Sequence, residues 1–211
     1  MKNNKLKMFY RIIILILIII GIIFNFISKN KDWNQLLSYY TIQSNMIVAI
    51  FLIIEIINYF KPLKLFKKED TYQNLKGMVT LTIIITGLVF AIILAPYVKD
   101  WKGYRLYSSY ILHYISPLMI LIDFIFFDKC TDKLSFKKNY MWFIYPILYY
   151  IFGVIRVIFL DGFVPYPFLD VKNLGPLKSI LYFLVLLVTF YIISIILILL
   201  KNKANKYKRV K

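Results

Sequence analysis

The chain has few of the residues from which metal and redox centres are usually built. Among its 211 residues there is one cysteine, Cys130, and one histidine, His113. A disulfide framework, a thiolate zinc site, an iron–sulfur cluster and a bis-histidine haem are therefore excluded, and we predict neither a metal nor another cofactor. Acidic residues are also scarce, at 10 against 27 Lys and Arg, and charged residues make up only 18% of the chain. Typical soluble domains carry roughly 25%.

Apolar side chains are abundant instead. Hydrophobic residues account for 61% of the sequence, with 18 Phe and 18 Tyr, which excludes a disordered chain. A helix that crosses a bilayer core needs about 20 apolar residues. Six stretches meet this length, at residues 9–27, 37–60, 77–97, 106–127, 140–160 and 177–200. We therefore predict an all-α fold, a polytopic membrane protein in which residues 1–211 form a single six-transmembrane-helix bundle.

Lysine and arginine are distributed unevenly along this predicted topology. The two tails and the loops after the second and fourth spans hold 19 of the 27, the alternate loops hold seven, and Arg156 lies inside the fifth span. Because positive residues in short loops favour the cytoplasmic side, both termini of this multi-pass plasma-membrane protein are predicted to be cytoplasmic. The net charge of +17 is explained in this way, so we predict no nucleic-acid partner.

Polar residues inside the spans identify a candidate site. A polar group without a partner inside a bilayer is costly, so each such residue is a functional candidate. At a rise of about 1.5 Å per residue, three of the spans carry such groups at one depth near the outer face. They are Thr41, Gln43, Ser44 and Asn45 in the second span, His113 and Ser116 in the fourth, and Arg156 in the fifth. Helical spacing also places Thr41, Ser44 and Asn45 on one face of their helix.

Thr41 and His113 supply the minimum for acyl transfer, a nucleophile and a general base. A hydroxyl is unreactive unless a base accepts its proton, and histidine does so near neutral pH. The candidate donors to the developing oxyanion are Asn45, Gln43 and Arg156. A substrate that reaches this depth is a membrane lipid or another amphiphilic ester. The alternative interpretation is structural, since small polar residues commonly serve helix packing in membranes.

The segment after the fifth span, residues 161–171, contains two prolines among aromatic residues and is predicted to be a stiff apolar loop. Its central residues are Tyr166, Pro167 and Phe168. They are predicted to form either a lid over a lipid-facing pocket or an interfacial anchor. Asp161 begins this loop, and its carboxylate is a candidate either to pair with Arg156 or to orient His113.

Two carboxylates lie at the opposite depth. Glu55 in the second span and Asp123 in the fourth are each about 8 Å from the predicted cytoplasmic end. One interpretation is that they pair with Lys61 or Lys129 and reach water at the interface. The other is that they form a pair that handles protons or cations.

Short blocks of the sequence resemble a known family. They are Tyr39-Tyr40-Thr41-Ile42-Gln43-Ser44-Asn45, Leu112-His113 followed by Pro117 and Asp123-Phe124, Tyr145-Pro146, and Tyr166-Pro167-Phe168-Leu169-Asp170. In these blocks and in its six spans the chain is similar to the bacterial relatives of the androgen-induced and androgen-dependent TFPI-regulating membrane proteins. Eukaryotic members of that family are threonine hydrolases that cleave fatty acid esters of hydroxy fatty acids. The resemblance implies the same fold, with Thr41 matching the catalytic threonine and His113 matching the histidine.

Two other function classes compete with a hydrolase. A non-catalytic membrane scaffold would need no reactive residue. A transporter or channel for a small solute or lipid would need a polar path, formed by Glu55, Asp123, His113 and Arg156. The sequence has no inverted repeat and no corresponding pair of helices broken by Gly or Pro, which argues against a transporter. We therefore expect an intramembrane threonine hydrolase of lipid acyl esters, whose activity depends on Thr41.

Overall fold

The computed structural model describes residues 2–29, 32–66, 68–97, 101–128 and 133–209. Within these ranges the regular elements are all helical. Among the residues that the structure describes, six helices are long and apolar enough to cross a membrane. We number them spans 1 to 6, and they run Asn4–Ser28, Tyr40–Phe60, Glu69–Leu94, Gly103–Phe127, Phe136–Phe159 and Pro176–Asn205. The chain is therefore an all-helical, multi-pass membrane protein, as its composition predicts.

The helix boundaries differ from the predicted spans at the polar ends. Span 2 begins at Tyr40, because a short helix, Trp33–Leu36, comes first and is capped by the side chain of Asp32. Span 3 begins at Glu69, eight residues before its apolar run, and acidic side chains in its first turn favour that start. A search for apolar runs misses the first turns of span 3 because they contain polar residues. One of these residues, Lys76, is buried and forms an ion pair with Asp123.

Span 3 lies at the centre of the bundle. It packs against spans 2, 4, 5 and 6, while span 1 packs against spans 2 and 4. Helix association in a bilayer depends on close packing, since lipid removes most of the hydrophobic driving force. Two glycines permit such an approach: a Cβ at Gly77 would overlap the Trp142 ring, and one at Gly21 would lie 2.7 Å from Leu112. Span 3 can therefore present side chains to four other spans.

Spans 3 and 4 depart from α-helical geometry near each other. Residues Phe90–Leu94 of span 3 and Ile111–Ile115 of span 4 form π-helical turns. Pro117 has no N–H and cannot donate the usual helical hydrogen bond to the carbonyl of His113. The missing bond favours the irregular turn in span 4. A Cβ at Gly87 would lie 2.8 Å from that carbonyl oxygen, so span 3 touches the backbone of span 4 at this point. Turns of this kind are frequent at functional sites.

The connection between spans 5 and 6 packs onto the end of the bundle that contains Thr41, which we call the loop end. This connection includes two short helices, Pro167–Leu169 and Val171–Leu174. Leu169 is fully buried, and its side chain occupies the space that a Cβ at Gly153 of span 5 would need. The contact fixes the connection against the helices and thereby positions the aromatic residues of the loop.

Candidate active site

The side chains of Thr41 and His113 are in contact at the loop end. Oγ1 of Thr41, on span 2, lies 3.1 Å from Nε2 of His113, on span 4. The other ring nitrogen, Nδ1, lies 3.0 Å from the carbonyl oxygen of Ser109, one turn earlier in span 4. A carbonyl oxygen only accepts hydrogen bonds, so Nδ1 carries the proton and Nε2 faces Thr41 with its lone pair. In this tautomer the imidazole can accept the threonine proton.

Burial and packing hold this pair in position. Thr41 is 9% exposed and His113 is 7% exposed, so little of either side chain meets solvent or lipid. The ring of Phe90 stacks on the imidazole with centroids 3.8 Å apart and planes 23° apart. Phe90 begins the π-helical turn of span 3, and the imidazole lies on that of span 4. The two irregular turns thus place an aromatic face against the histidine and restrict its rotation.

A third polar group reaches the pair from the loop between spans 5 and 6. The hydroxyl oxygen of Tyr166 lies 3.5 Å from Oγ1 of Thr41. The phenol ring is buried and stacks on Phe168, with ring planes 2° apart. Burial raises the pKa of Tyr166 to about 12, so its hydroxyl is protonated at neutral pH and can donate. The loop therefore lies over Thr41 and also brings a hydrogen-bond donor that its sequence position does not reveal.

The polar neighbours of Thr41 on span 2 join helices together. Oγ of Ser44 lies 2.7 Å from Oγ1 of Thr86 on span 3. The side-chain amide of Asn45 donates to the carbonyl oxygens of Thr41, at 2.8 Å, and Leu112, at 3.2 Å. Both amide hydrogens are thereby used. Asn45 therefore joins span 2 to span 4 beside the catalytic candidates, and its role as an oxyanion donor stays a prediction that this arrangement does not favour.

Gln43 and Arg156, the other predicted oxyanion donors, also have different partners. The amide of Gln43 donates to the carbonyl of Leu37 at 2.9 Å. Arg156 donates to both carboxylate oxygens of Asp161, at 2.9 and 2.5 Å, and to the carbonyl of Asn34 at 2.7 Å. The hydrogen bond from Arg156 lowers the pKa of Asp161 to about 2. The pair thus anchors the loop to span 5, and the oxyanion role of Arg156 and the histidine-orienting role of Asp161 stay predictions that this pairing does not favour.

The structure also places the other predicted residues, Ser116, Pro167 and Phe168. Ser116 is fully buried, and its hydroxyl has no hydrogen-bond partner among the described residues. Pro167 begins the short helix of the loop. The carbonyl oxygen of Phe168 accepts a hydrogen bond from Oγ of Ser179, which attaches the loop to span 6. The loop is therefore tied to span 5 through Arg156 and to span 6 through Ser179.

A narrow, partly open cavity lies beside Thr41 between spans 3, 5 and 6. Thr41 and Tyr166 form part of its wall. Most of the remaining lining is apolar and includes Ile85, Val89, Leu94, Leu186 and Phe190. The rings of Tyr150 and Phe183, from spans 5 and 6, also line it and stack with centroids 3.9 Å apart. Such a lining suits a hydrocarbon chain.

A second cavity lies on the other side of Phe90. It is open to the surface, and two residues of its wall, Phe90 and Ser109, touch His113. Trp101 and Lys102 are also part of this wall, which is more polar than that of the first cavity. Phe90 lines both cavities, the apolar one that Thr41 also lines and the more polar one that Ser109 also lines.

The two inner carboxylates belong to an ion-paired cluster at the opposite end of the bundle, which we call the basic end. Oε1 of Glu55 lies 3.1 Å from Nη1 of Arg11. Asp123 lies 3.1 Å from Nε of Arg11 and 2.5 Å from Nζ of Lys76. Both cations also contact Asp128. All five side chains are buried, so the cluster connects spans 1, 2, 3 and 4 in the bundle interior.

This cluster corrects the expected partners of the inner carboxylates. Lys61 is exposed at the end of span 2, and Lys129 lies outside the described residues. The sequence does not predict Arg11 as a partner of these carboxylates, because a cation near the end of an apolar run is normally explained by the orientation of the span in the membrane. Lys76 escapes it because this lysine precedes the apolar run of span 3. Neither residue carries a sequence signal of being buried.

No group of three or more His, Cys, Asp or Glu side chains within the described ranges is arranged to hold a metal ion. No known protein-family model, curated protein or solved structure matches the chain. The similarity to the androgen-induced and androgen-dependent TFPI-regulating membrane proteins stays a prediction, and the geometry of the loop end is the basis for a functional assignment.

Proposed function

We propose that the protein is an intramembrane hydrolase that cleaves acyl esters of lipids, with Thr41 as nucleophile and His113 as general base. The observation that carries the proposal is the 3.1 Å contact between Oγ1 of Thr41 and Nε2 of His113. The carbonyl of Ser109 orients the imidazole, a task that a carboxylate performs in many hydrolases. Because a neutral carbonyl stabilises the imidazolium less than a carboxylate does, we expect a slow enzyme.

The first half-reaction acylates the threonine. Nε2 of His113 accepts the proton of Thr41 as Oγ1 attacks the carbonyl carbon of the ester. The hydroxyl of Tyr166 donates a hydrogen bond to the oxyanion that forms beside Oγ1. The tetrahedral intermediate then loses the alcohol oxygen, which receives the proton from His113. The products are an acyl ester on Thr41 and a free alcohol.

The second half-reaction restores the enzyme. Water attacks the acyl carbon and gives a proton to Nε2 of His113. The bond between the acyl group and Oγ1 of Thr41 breaks, and the proton on His113 passes to Oγ1 as the fatty acid leaves. One ester and one water thus yield one acid and one alcohol, with both side chains returned to their starting protonation states.

The two loop-end cavities accommodate the two parts of an ester. The cavity between spans 3, 5 and 6 takes the acyl chain, because its lining is mostly hydrocarbon and aromatic. The cavity beyond Phe90 takes the alcohol part and admits water, since Ser109 and Lys102 lie in its wall. A fatty acid ester of a hydroxy fatty acid, the substrate class that the family resemblance implies, has both parts. In the predicted orientation the reaction occurs near the outer face of the plasma membrane.

Dependence on Thr41 tests the proposal. Purified full-length protein in nanodiscs is assayed on a long-chain acyl ester, while fluorophosphonate labelling and single-turnover mass spectrometry locate the acylated residue. Thr41→Ala and His113→Ala are expected to reduce hydrolysis and labelling to background, whereas Thr41→Ser retains part of the activity. The matched control is Thr80→Ala, which removes another buried threonine hydroxyl, one that donates to the carbonyl of Lys76. Hydrolysis by Thr41→Ala at the unmodified rate would refute the assignment.

The transporter alternative receives less support from the geometry. A transport path needs polar groups that continue across the bilayer. Glu55 lies about 21 Å along span 2 from Thr41. The fully buried apolar side chains of Val48 and Leu52 lie between them. Glu55 is also ion-paired with Arg11, so it is not a free carrier site. The hydrolase accounts for the loop-end geometry without using the basic end.

A further inference from the structure

A polar cavity lies at the basic end and takes no part in the proposed hydrolysis. It is partly open to the surface and is bounded by residues of span 1, span 2 and span 3. Its wall includes Asn4, Lys7, Arg11, Glu55, Tyr72 and Asp128. These charged and polar groups are unlike the apolar lining beside Thr41, so the cavity suits a ligand of different chemistry.

One carboxylate oxygen of this wall lacks a hydrogen-bond donor. Oε1 of Glu55 is contacted by Arg11 and accepts a hydrogen bond from Tyr72. Oε2 is buried, and no donor within the described ranges bonds to it. The Glu55 side chain is only 2% exposed, and a buried acceptor without a partner is costly. Glu55 lines the cavity, so a ligand there that draws Oε2 outward and donates a hydrogen bond to it would remove this cost.

The ion-paired carboxylates and cations around the cavity are equal in number. Three carboxylates contact three cations, namely Glu55, Asp123 and Asp128 with Lys7, Arg11 and Lys76. A ligand with a single net charge would leave one buried charge uncompensated, which is unfavourable. A zwitterion adds no net charge. The balance therefore favours a ligand whose positive end reaches Glu55 and whose negative end meets a cation.

Lys7 is the cation best placed for a negative group. Its side chain is 25% exposed, against 6% for Arg11 and 2% for Lys76. Its partner Asp128, at 2.8 Å, also accepts a hydrogen bond from Arg11, at 2.7 Å, and lies 2.8 Å from the hydroxyl oxygen of Tyr72, whose single hydrogen is donated to Glu55. Burial would raise the pKa of Asp128, but Lys76, Arg11 and Lys7 hold it well below its usual value. Arg11 and Lys76 therefore still compensate the charge of Asp128 when Lys7 also binds a phosphate.

We propose that this cavity binds a phosphoethanolamine group, either as the head group of a phospholipid or as the free molecule. The ammonium donates a hydrogen bond to Oε2 of Glu55, and the phosphate contacts Nζ of Lys7. Tyr59 and Tyr72 in the wall add the attraction of aromatic rings for a cation. A choline group would gain the same attraction, but its methyl groups leave no N–H for Oε2. The site is independent of the hydrolase function.

Binding of soluble short-chain lipids to the unmodified full-length protein tests this site. Dihexanoyl phosphatidylethanolamine, phosphatidylcholine and phosphatidylglycerol are titrated separately in detergent, and native mass spectrometry gives their dissociation constants. The ethanolamine lipid is expected to bind at least about tenfold more tightly than either of the others, since it alone both donates to Glu55 and keeps the charge balance. Competition by O-phosphoethanolamine would identify the free molecule as sufficient, and failure to compete would identify the lipid as the source.

Variants then locate the site. Glu55→Gln replaces the accepting carboxylate by an amide of the same shape, so it is expected to weaken binding of the ethanolamine lipid about tenfold more than binding of the choline lipid, which has no N–H to donate. Asp70→Asn is the matched control, because this basic-end carboxylate is exposed, paired with Lys138 and outside the cavity. Should Glu55→Gln fail to fold, the three-lipid comparison on the unmodified protein decides. Equal affinities for the three lipids, or a cavity that binds neither these lipids nor O-phosphoethanolamine, would overturn the proposal.

Discussion

Replacing Tyr166 by Phe removes a hydroxyl that lies 3.5 Å from Oγ1 of Thr41 and leaves the aromatic ring in place. The ring stacks on Phe168 and packs edge-on against Tyr39, and a phenylalanine retains both contacts. The loop is therefore expected to stay docked. The donor to the oxyanion is lost, and loss of one such donor lowers kcat by about 10²–10³-fold in a well-studied hydrolase. KM is expected to change little, because the hydroxyl acts on the transition state.

Stability provides the internal check on this substitution. The free energy of unfolding is expected to fall by no more than about 1 kcal/mol, since the lost hydrogen bond is long. Single-turnover acylation by a long-chain ester measures the rate, and thermal unfolding in the same detergent measures stability. Tyr145→Phe is the matched control, because its hydroxyl donates to Oε1 of Gln43 at 3.1 Å and does not contact Thr41. That variant is expected to keep its kcat.

Three outcomes would refute the reasoning about Tyr166. An unchanged kcat in Tyr166→Phe, with hydrolysis still dependent on Thr41, would exclude the hydroxyl as an oxyanion donor. Equal losses in Tyr166→Phe and Tyr145→Phe would assign the effect to packing of the aromatic cluster. A higher KM at constant kcat would assign the hydroxyl to substrate binding.

Three further changes test other parts of the structure. Gly87→Ala adds a Cβ 2.8 Å from the carbonyl oxygen of His113, so displacement of the imidazole is expected to lower ester-hydrolysis kcat by about 10²-fold. Arg11→Met leaves buried carboxylates without their cation and is expected to lower the free energy of unfolding by about 3–5 kcal/mol, measured by chemical denaturation. The pKa of Asp161 is about 2 in the folded loop and about 3.9 when unfolded, so its pair with Arg156 stabilises the fold above about pH 4. The Tm difference between the unmodified protein and Asp161→Asn is therefore expected to disappear as the pH falls towards 2.

Each of these predictions has an outcome that contradicts it. Full activity in Gly87→Ala would mean that the backbone of span 4 moves without displacing the imidazole. Lys7→Met, at the exposed edge of the same ion cluster, is expected to cost less than about 1 kcal/mol, and a loss equal to that of Arg11→Met would refute the burial argument. A Tm difference for Asp161→Asn that persists unchanged at pH 2 would exclude the ion pair as its cause.

The spans and the depth of the candidate residues are open to prediction from the sequence. A helix that crosses a bilayer needs a minimum apolar length, so composition alone locates the six spans. Their confirmed positions differ mainly at polar ends such as Glu69, where helix continues beyond the apolar run. The helical rise places Thr41 and His113 at one depth, and the helical period places Asn45 on the face of Thr41. These properties depend on the backbone geometry of one helix at a time.

Which groups meet at a given depth is decided by the tertiary structure. Tyr166 reaches the catalytic candidates across 125 residues of sequence, and Arg11 reaches Asp123 across 112. Arg156 shares the depth of the site, yet its guanidinium turns to Asp161 and anchors the loop. The rotation of each helix about its axis and the path of the connecting loops set these contacts. Both follow from the packing of six helices against one another, which the periodicity of a single helix does not encode.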